Sequence, residues 1–148
     1  MVRAMLIAVL ITIGLQGNAQ TESRITRYNY FFLEAIRQQE MGNLAAAFDL
    51  LNHARDINPK APEVYYEIAG YYVAMQNSKA ARYNFEQAAK LAPDNSTYLE
   101  KLGQFYISQN NYEDALTTYE QLYTSNKTRE DVLQILYQLY GAQNNYKK

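Results

Sequence analysis

Residues 62–95 have the sequence PEVYYEIAGYYVAMQNSKAARYNFEQAAKLAPDN, and this stretch decides the fold. Apolar side chains recur at helical spacing from Tyr65 to Tyr72 and again from Ala81 to Ala89, which predicts two amphipathic helices. Asn77 between them favours a turn, and Pro93 ends the second helix because proline cannot continue one. The stretch therefore predicts a helix, a turn, a second helix and a stop.

The same pattern returns along the chain at intervals of 34 residues. Nine parallel series of residues follow this step, among them Asn43, Asn77, Asn111 and Asn145; Ala47, Ala81 and Ala115; and Leu51, Phe85 and Tyr119. Small residues such as Ala69 and Gly103 would let two paired helices approach closely. A helix pair repeated at this period predicts an all-α solenoid of stacked antiparallel helix pairs.

These positions resemble those of the tetratricopeptide repeat (TPR) family. The unit at 62–95 shows the family pattern best, with Tyr65, Ile68, Ala69, Tyr72, Ala81, Phe85, Ala88 and Pro93. Similar units span 28–61 and 96–129, although the latter has Lys127 where the family has proline. The resemblance implies a right-handed superhelix that binds proteins and is not an enzyme.

Residues 130–148 begin a fourth unit with Leu133, Leu136 and Tyr140. We expect a helix over Asp131 to Gly141, followed by a turn at 143–146. A capping helix normally has a polar outer face, whereas this helix is apolar almost all round. It is therefore better interpreted as the first helix of an incomplete repeat in a longer array, or as an end that a partner covers. Its apolar surface also predicts self-association of the chain.

The first nineteen residues have the three parts of a secretory signal peptide. Arg3 precedes an apolar run from Ala4 to Leu15, and the small residues Gly17 and Ala19 follow it. An uncleaved anchor is the alternative, but the run is shorter than the roughly 20 residues that span a bilayer. We expect cleavage after Ala19, a lead-in over 20–27, and export to the periplasm or cell envelope. No transmembrane segment is expected in the mature chain.

The composition argues against catalysis and against nucleic-acid binding. The chain has no cysteine and one histidine, and its formal net charge is −1 without a basic block. A lone His53 has no second ligand for a metal and no nucleophile to activate. We therefore expect no enzymatic activity, no metal and no cofactor.

The TPR resemblance also implies where a partner would bind, since the first helix of each unit lines a concave groove in that family. The implied groove residues are Phe32, Ile36, Gln39, Tyr66, Gly70, Val73, Glu100, Gln104 and Ile107. Some TPR domains hold the acidic tail of heat-shock chaperones with a basic clamp on this face. Here the clamp is absent, because the equivalent positions are occupied by Phe32, Ile36, Gly70 and Glu100. Lys101 is the only basic residue nearby.

These features predict a scaffold or adaptor in the cell envelope that binds a protein or peptide partner in the groove. One alternative is the exported sensory input domain of a larger membrane signalling protein. A third alternative is carbohydrate capture at the cell surface. It is weaker because repeat proteins of that sort usually have a lipidated cysteine, and this chain has no cysteine.

Overall fold

The computed structural model describes the backbone of residues 2–125 and 127–146, and the side chains of residues 20–125 and 127–142. Within these ranges the chain forms seven α-helices and no strand. In chain order these are α1 (Val2–Glu40), α2 (Leu44–Ile57), α3 (Pro62–Ala74), α4 (Ser78–Leu91), α5 (Ser96–Ser108), α6 (Tyr112–Ser125) and α7 (Glu130–Tyr146). The fold is all-α and of the helical-repeat solenoid type, which confirms the predicted fold class.

The chain divides into two compact units, residues 1–60 and residues 61–148. In the first unit, α1 packs along α2, and the short side chains of Ala35, Ala47 and Ala54 are fully buried. The ring of His53 meets that of Phe31 edge-on, with 4.3 Å between ring centroids. The histidine therefore has a packing contact in this unit.

The helix α1 runs without a break from Val2 to Glu40, so the expected lead-in at 20–27 is helical. The expected cleavage point after Ala19 lies inside this helix, and cleavage stays a prediction. Within the part of the chain that is described, no helix combines the length and the apolar character needed to cross a membrane.

The second unit contains α3 to α7, in which α3 pairs with α4 and α5 pairs with α6. One hydrophobic core joins these helices, with Ala69, Ala81, Leu99 and Leu122 among its buried members. Gly103 shows how closely the paired helices approach. A Cβ atom added to Gly103 would lie 2.6 Å from Cε2 of Tyr119 on α6. The small residue at this position is therefore required by packing.

The turn inside each repeat has one left-handed residue at the same step of the 34-residue period. The positive φ angles are 79° at Gly42, 57° at Gln76 and 58° at Asn110. In the second repeat the amide of Asn77 donates to the carbonyl of Tyr72 at 2.9 Å, which closes the preceding helix as a Schellman motif. The side chain of Asn77 then accepts a hydrogen bond from the amide of Ala80 at 3.1 Å and caps α4. In this repeat the asparagine thus caps the second helix, whereas its equivalent Asn43 precedes α2 without a side-chain cap hydrogen bond.

The predicted turn at 143–146 is wrong, because α7 continues as a helix through Tyr146. In the third repeat the turn lets α6 fold back over Gly103. At the same step of the period α7 has Tyr137, whose bulk would obstruct a second helix packed in that way. Continuing the helix satisfies the backbone hydrogen bonds without such packing.

Only one face of α7 is buried in the core. Val132, Leu136 and Leu139 are buried, while Leu133, Tyr137 and Tyr140 are 43%, 82% and 46% exposed. The sequence-based expectation of an all-round apolar helix is therefore correct in composition, but the third repeat covers one of its faces.

Candidate functional site

Four aromatic rings form a continuous row in the second unit. Tyr98 of α5 lies 5.2 Å from Tyr66 of α3, measured between ring centroids. Tyr66 lies 6.3 Å from Phe85 of α4, and Phe85 lies 5.5 Å from Phe105 of α5. Such contacts contribute about 0.5–1.5 kcal/mol per pair beyond the area they bury. The row therefore forms a firm apolar floor contributed by three helices.

A cavity of about 440 Å³ lies against this floor, between α3 and α5. Its volume falls within the range of roughly 300–1,000 Å³ that is usual for ligand sites. It is lined by Tyr66, Glu67, Gly70, Val73, Phe85, Lys101, Gln104, Phe105 and Ser108. Apolar rings at the bottom and polar side chains around them are the arrangement that protein interfaces use for an anchoring residue.

The two walls of the cavity differ in charge. Burial raises the pKa of the Tyr66 phenol, and the nearby carboxylate of Glu67 raises it further. Burial likewise raises the pKa of Tyr98, with added contributions from Glu63 and Glu67. The α3 wall is therefore acidic, whereas the α5 wall has the ammonium group of Lys101.

Four of the nine expected groove residues line this cavity, namely Tyr66, Gly70, Val73 and Gln104. Glu100 does not, because the guanidinium of Arg129 holds its two carboxylate oxygens at 3.0 and 3.1 Å. Ile107 packs against the core of the unit. The role of these residues in binding stays a prediction.

The other three expected groove residues lie on α1, in the first unit. Phe32, Ile36 and Gln39 are each half-buried. The ring of Phe32 stacks on the buried ring of Tyr28 with 5.8 Å between centroids. Their part in binding is likewise a prediction.

The sequence analysis missed five residues that line the cavity: Glu67, Phe85, Lys101, Phe105 and Ser108. A pattern in the sequence could have found three of them. Lys101, Gln104, Phe105 and Ser108 follow the i, i+3, i+4, i+7 spacing of a single helix face. The contribution of Phe85 could not be found in this way, since it reaches the cavity from the second helix of its repeat.

Among residues 20–125 and 127–142, no group of three histidine, aspartate or glutamate side chains is placed to hold a metal ion. Glu67, the acidic residue that lines the cavity, acts on the phenol of Tyr66. The cavity can hold an apolar group against the rings of Tyr66, Phe85 and Phe105, and its polar side chains can bind polar groups around that group.

Comparison with known proteins agrees with the helical-repeat architecture. Residues 72–139 match the tetratricopeptide repeat family. The first TPR of Spaghetti (RPAP3), bound to the HSP90 peptide SRMEEVD, is 15% identical with a TM-score of 0.65, over 80% of this chain and 97% of that one. Yeast Tom70 is 16% identical with a TM-score of 0.74, over 84% of this chain and 26% of that one.

The Sgt2 TPR domain from Aspergillus fumigatus is 19% identical with a TM-score of 0.64, over 81% of each chain. No curated protein sequence matches the chain. The shared architecture is that of a helical-repeat module, a class that typically binds other proteins and is not catalytic. Residues 72–139 of the chain thus belong to the tetratricopeptide repeat family.

Proposed function

We propose that the chain is a non-catalytic scaffold or adaptor that holds a segment of a partner protein in the cavity between α3 and α5. The observation on which this depends is the aromatic floor formed by Tyr66, Phe85 and Phe105. Buried aromatic side chains surrounded by polar groups are enriched at the energetic centres of protein interfaces. The structure of the Spaghetti TPR with a bound peptide supports this use of the fold.

A matched pair of surface variants tests the proposal. Val73 lines the cavity and is 48% exposed, whereas Leu44 lies on α2 outside the cavity and is 56% exposed. Twelve-residue peptides are selected from a displayed random library on the immobilised chain, and their affinities are measured by fluorescence polarisation. Val73→Arg should weaken binding at least tenfold, because it places a charge against an apolar site, and Leu44→Arg should leave binding unchanged. A library that yields no binding peptide would count against the proposal.

We also propose that the chain acts outside the cytoplasm, in the periplasm or cell envelope. Support comes from the sequence of residues 1–19, with Arg3, the apolar run and Ala19. Expression in a bacterium, followed by N-terminal sequencing of the periplasmic fraction, should give a chain that begins at Gln20. An intact Met1 on the soluble periplasmic protein would contradict this proposal.

The exposed face of α7 supports a further proposal, that two copies of the chain associate there. Leu133, Tyr137 and Tyr140 lie on this face beside a cavity of about 550 Å³. Contiguous exposed apolar surface usually marks a contact site. Light scattering over a concentration series should show dimers that Tyr137→Glu converts to monomers. A wild-type chain that stays monomeric at high concentration would oppose self-association.

A further inference from the structure

Gly70 is a glycine that packing does not require. A Cβ atom added to it would meet no atom within 4 Å, and the residue lies in α3, one turn beyond Tyr66. Glycine in a helix interior lowers stability relative to alanine. Gly103 differs, because the Tyr119 ring fills the space where its Cβ would lie. Because packing does not explain Gly70, we relate the missing side chain to the cavity that Gly70 lines.

The same step of the 34-residue period has side chains in the other repeats. Ile36 occupies it in the first repeat and Gln104 in the third, and Gln104 also lines the cavity. A comparable side chain at residue 70 would occupy part of the space over the rings of Tyr66 and Phe105. The missing side chain leaves this space open on the α3 wall.

The charges around the opening restrict what can enter it. Among the residues that line the cavity, Glu67 of α3 is the one acidic side chain and Lys101 of α5 is the one basic side chain. A partner residue next to the α3 wall would thus meet negative charge. Charge complementarity favours a basic residue there and disfavours an acidic segment.

We propose that Gly70 determines specificity by admitting a large apolar side chain of the partner onto the ring floor, with a basic residue of the same segment beside Glu67. This inference depends on the proposed function, because it assigns the chemistry of the segment that the cavity holds.

The test compares one substitution at two exposed helical glycines. Gly70→Gln introduces the residue found at the equivalent position 104, while Gly141→Gln makes the same change in α7, where an added Cβ would also meet no atom within 4 Å. Twelve-residue peptides selected on the wild-type chain, and the same peptides with the lysine or arginine replaced by glutamate, are titrated against the full chain and both variants. The thermal midpoint of each variant is recorded to exclude misfolding.

The expected result is a set of selected peptides that share a large apolar residue and a neighbouring lysine or arginine. Gly70→Gln should weaken their binding at least tenfold with an unchanged or higher thermal midpoint, and Gly141→Gln should not weaken it. Peptides that bind the wild type and Gly70→Gln equally, yet are sensitive to Val73→Arg, would overturn this inference and leave the proposed function standing. Equal or tighter binding of the glutamate-substituted peptides would overturn the assigned charge. A failure to select any peptide would overturn the proposed function itself.

Discussion

The helices α5 and α7 have the same repeat pattern but differ in how much of it is buried, and α6 packs onto α5 as the second helix of its repeat. Leu99 and Tyr106 of α5 are 2% and 6% exposed, whereas their equivalents Leu133 and Tyr140 in α7 are 43% and 46% exposed. Among the positions at which the two helices differ is residue 103, where α5 has Gly103 and α7 has Tyr137 at the equivalent place. The close contact of Gly103 with Tyr119 shows why a small residue is needed there. Pairing within a repeat thus depends on space as well as on apolar pattern.

The largest expected effect comes from making α5 resemble α7. Gly103→Tyr places a ring where the Tyr119 side chain lies, since even a Cβ atom would be 2.6 Å from that ring. We expect the free energy of unfolding in urea to fall by at least about 3 kcal/mol, at the upper end of overpacking effects. Gly141→Tyr is the control, because nothing lies within 4 Å of a Cβ there, and should change stability by about 0.5 kcal/mol or less. Equal effects of the two variants would refute the role given to this position.

A smaller loss is expected from overpacking the other small residues of the pairing. Ala81 of α4 is fully buried in the core of the second unit. Ala81→Leu should lower the free energy of unfolding by about 1–3 kcal/mol, because extra methylene groups force strain. Ala74→Leu at the exposed end of α3 serves as the control. A change at Ala81 within experimental error would mean that α3 and α4 do not pack as described.

A third comparison removes one hydroxyl group from each of two equivalent tyrosines. The hydroxyl of Tyr106 donates to Glu86 at 2.7 Å from a buried ring, and that of Tyr140 donates to Glu120 at the surface. Tyr106→Phe should cost about 1 kcal/mol of unfolding free energy, since it removes a hydrogen bond to a carboxylate. Tyr140→Phe should cost less, because water reaches its partner. A larger loss at Tyr140 would reverse the comparison.

The contribution of Tyr106 to stability should also depend on pH. Burial, and then the hydrogen bond to Glu86, raise the pKa of Tyr106 well above the ordinary tyrosine value of 10.0. The folded state therefore retains the phenol proton where the unfolded state loses it. This contribution to stability is full below pH 10 and declines as the pH rises above that value. Tyr106→Phe should make the alkaline loss of stability less steep than in the wild type.

The sequence predicted the helices of the second and third repeats because their turns recur with the 34-residue period. The asparagine at that step caps the following helix, as at Asn77, so the local chemistry and the period agree. The extension of α7 to Tyr146 was missed because the turn at 143–146 was inferred from its likeness to residues 109–112. The local sequence at residues 143–146 favours a turn. The 34-residue period does not show whether a second helix would have space to pack against α7.

The candidate site was predicted less completely than the fold. Tyr66, Gly70, Val73 and Gln104 were implied by the TPR resemblance, and the structure places them around one cavity. Phe85 was assigned to packing and also forms part of the cavity floor. Glu100 was assigned to the groove, but it is bound by Arg129, which lies 29 residues away. Contacts between repeats of this kind depend on tertiary packing, which a single helix pattern does not contain.

The second unit has two exposed apolar surfaces, namely the cavity beside Gly70 and the exposed face of α7. We propose that the cavity holds the partner segment. Amide chemical shifts of the isotope-labelled chain, recorded while a selected peptide is titrated in, test this claim most directly. We predict that the amides of Gly70, Val73 and Gln104 shift in a saturable way while those of Leu133 and Tyr137 do not. Saturable shifts at Leu133 and Tyr137, with Gly70 and Gln104 unchanged, would contradict the account.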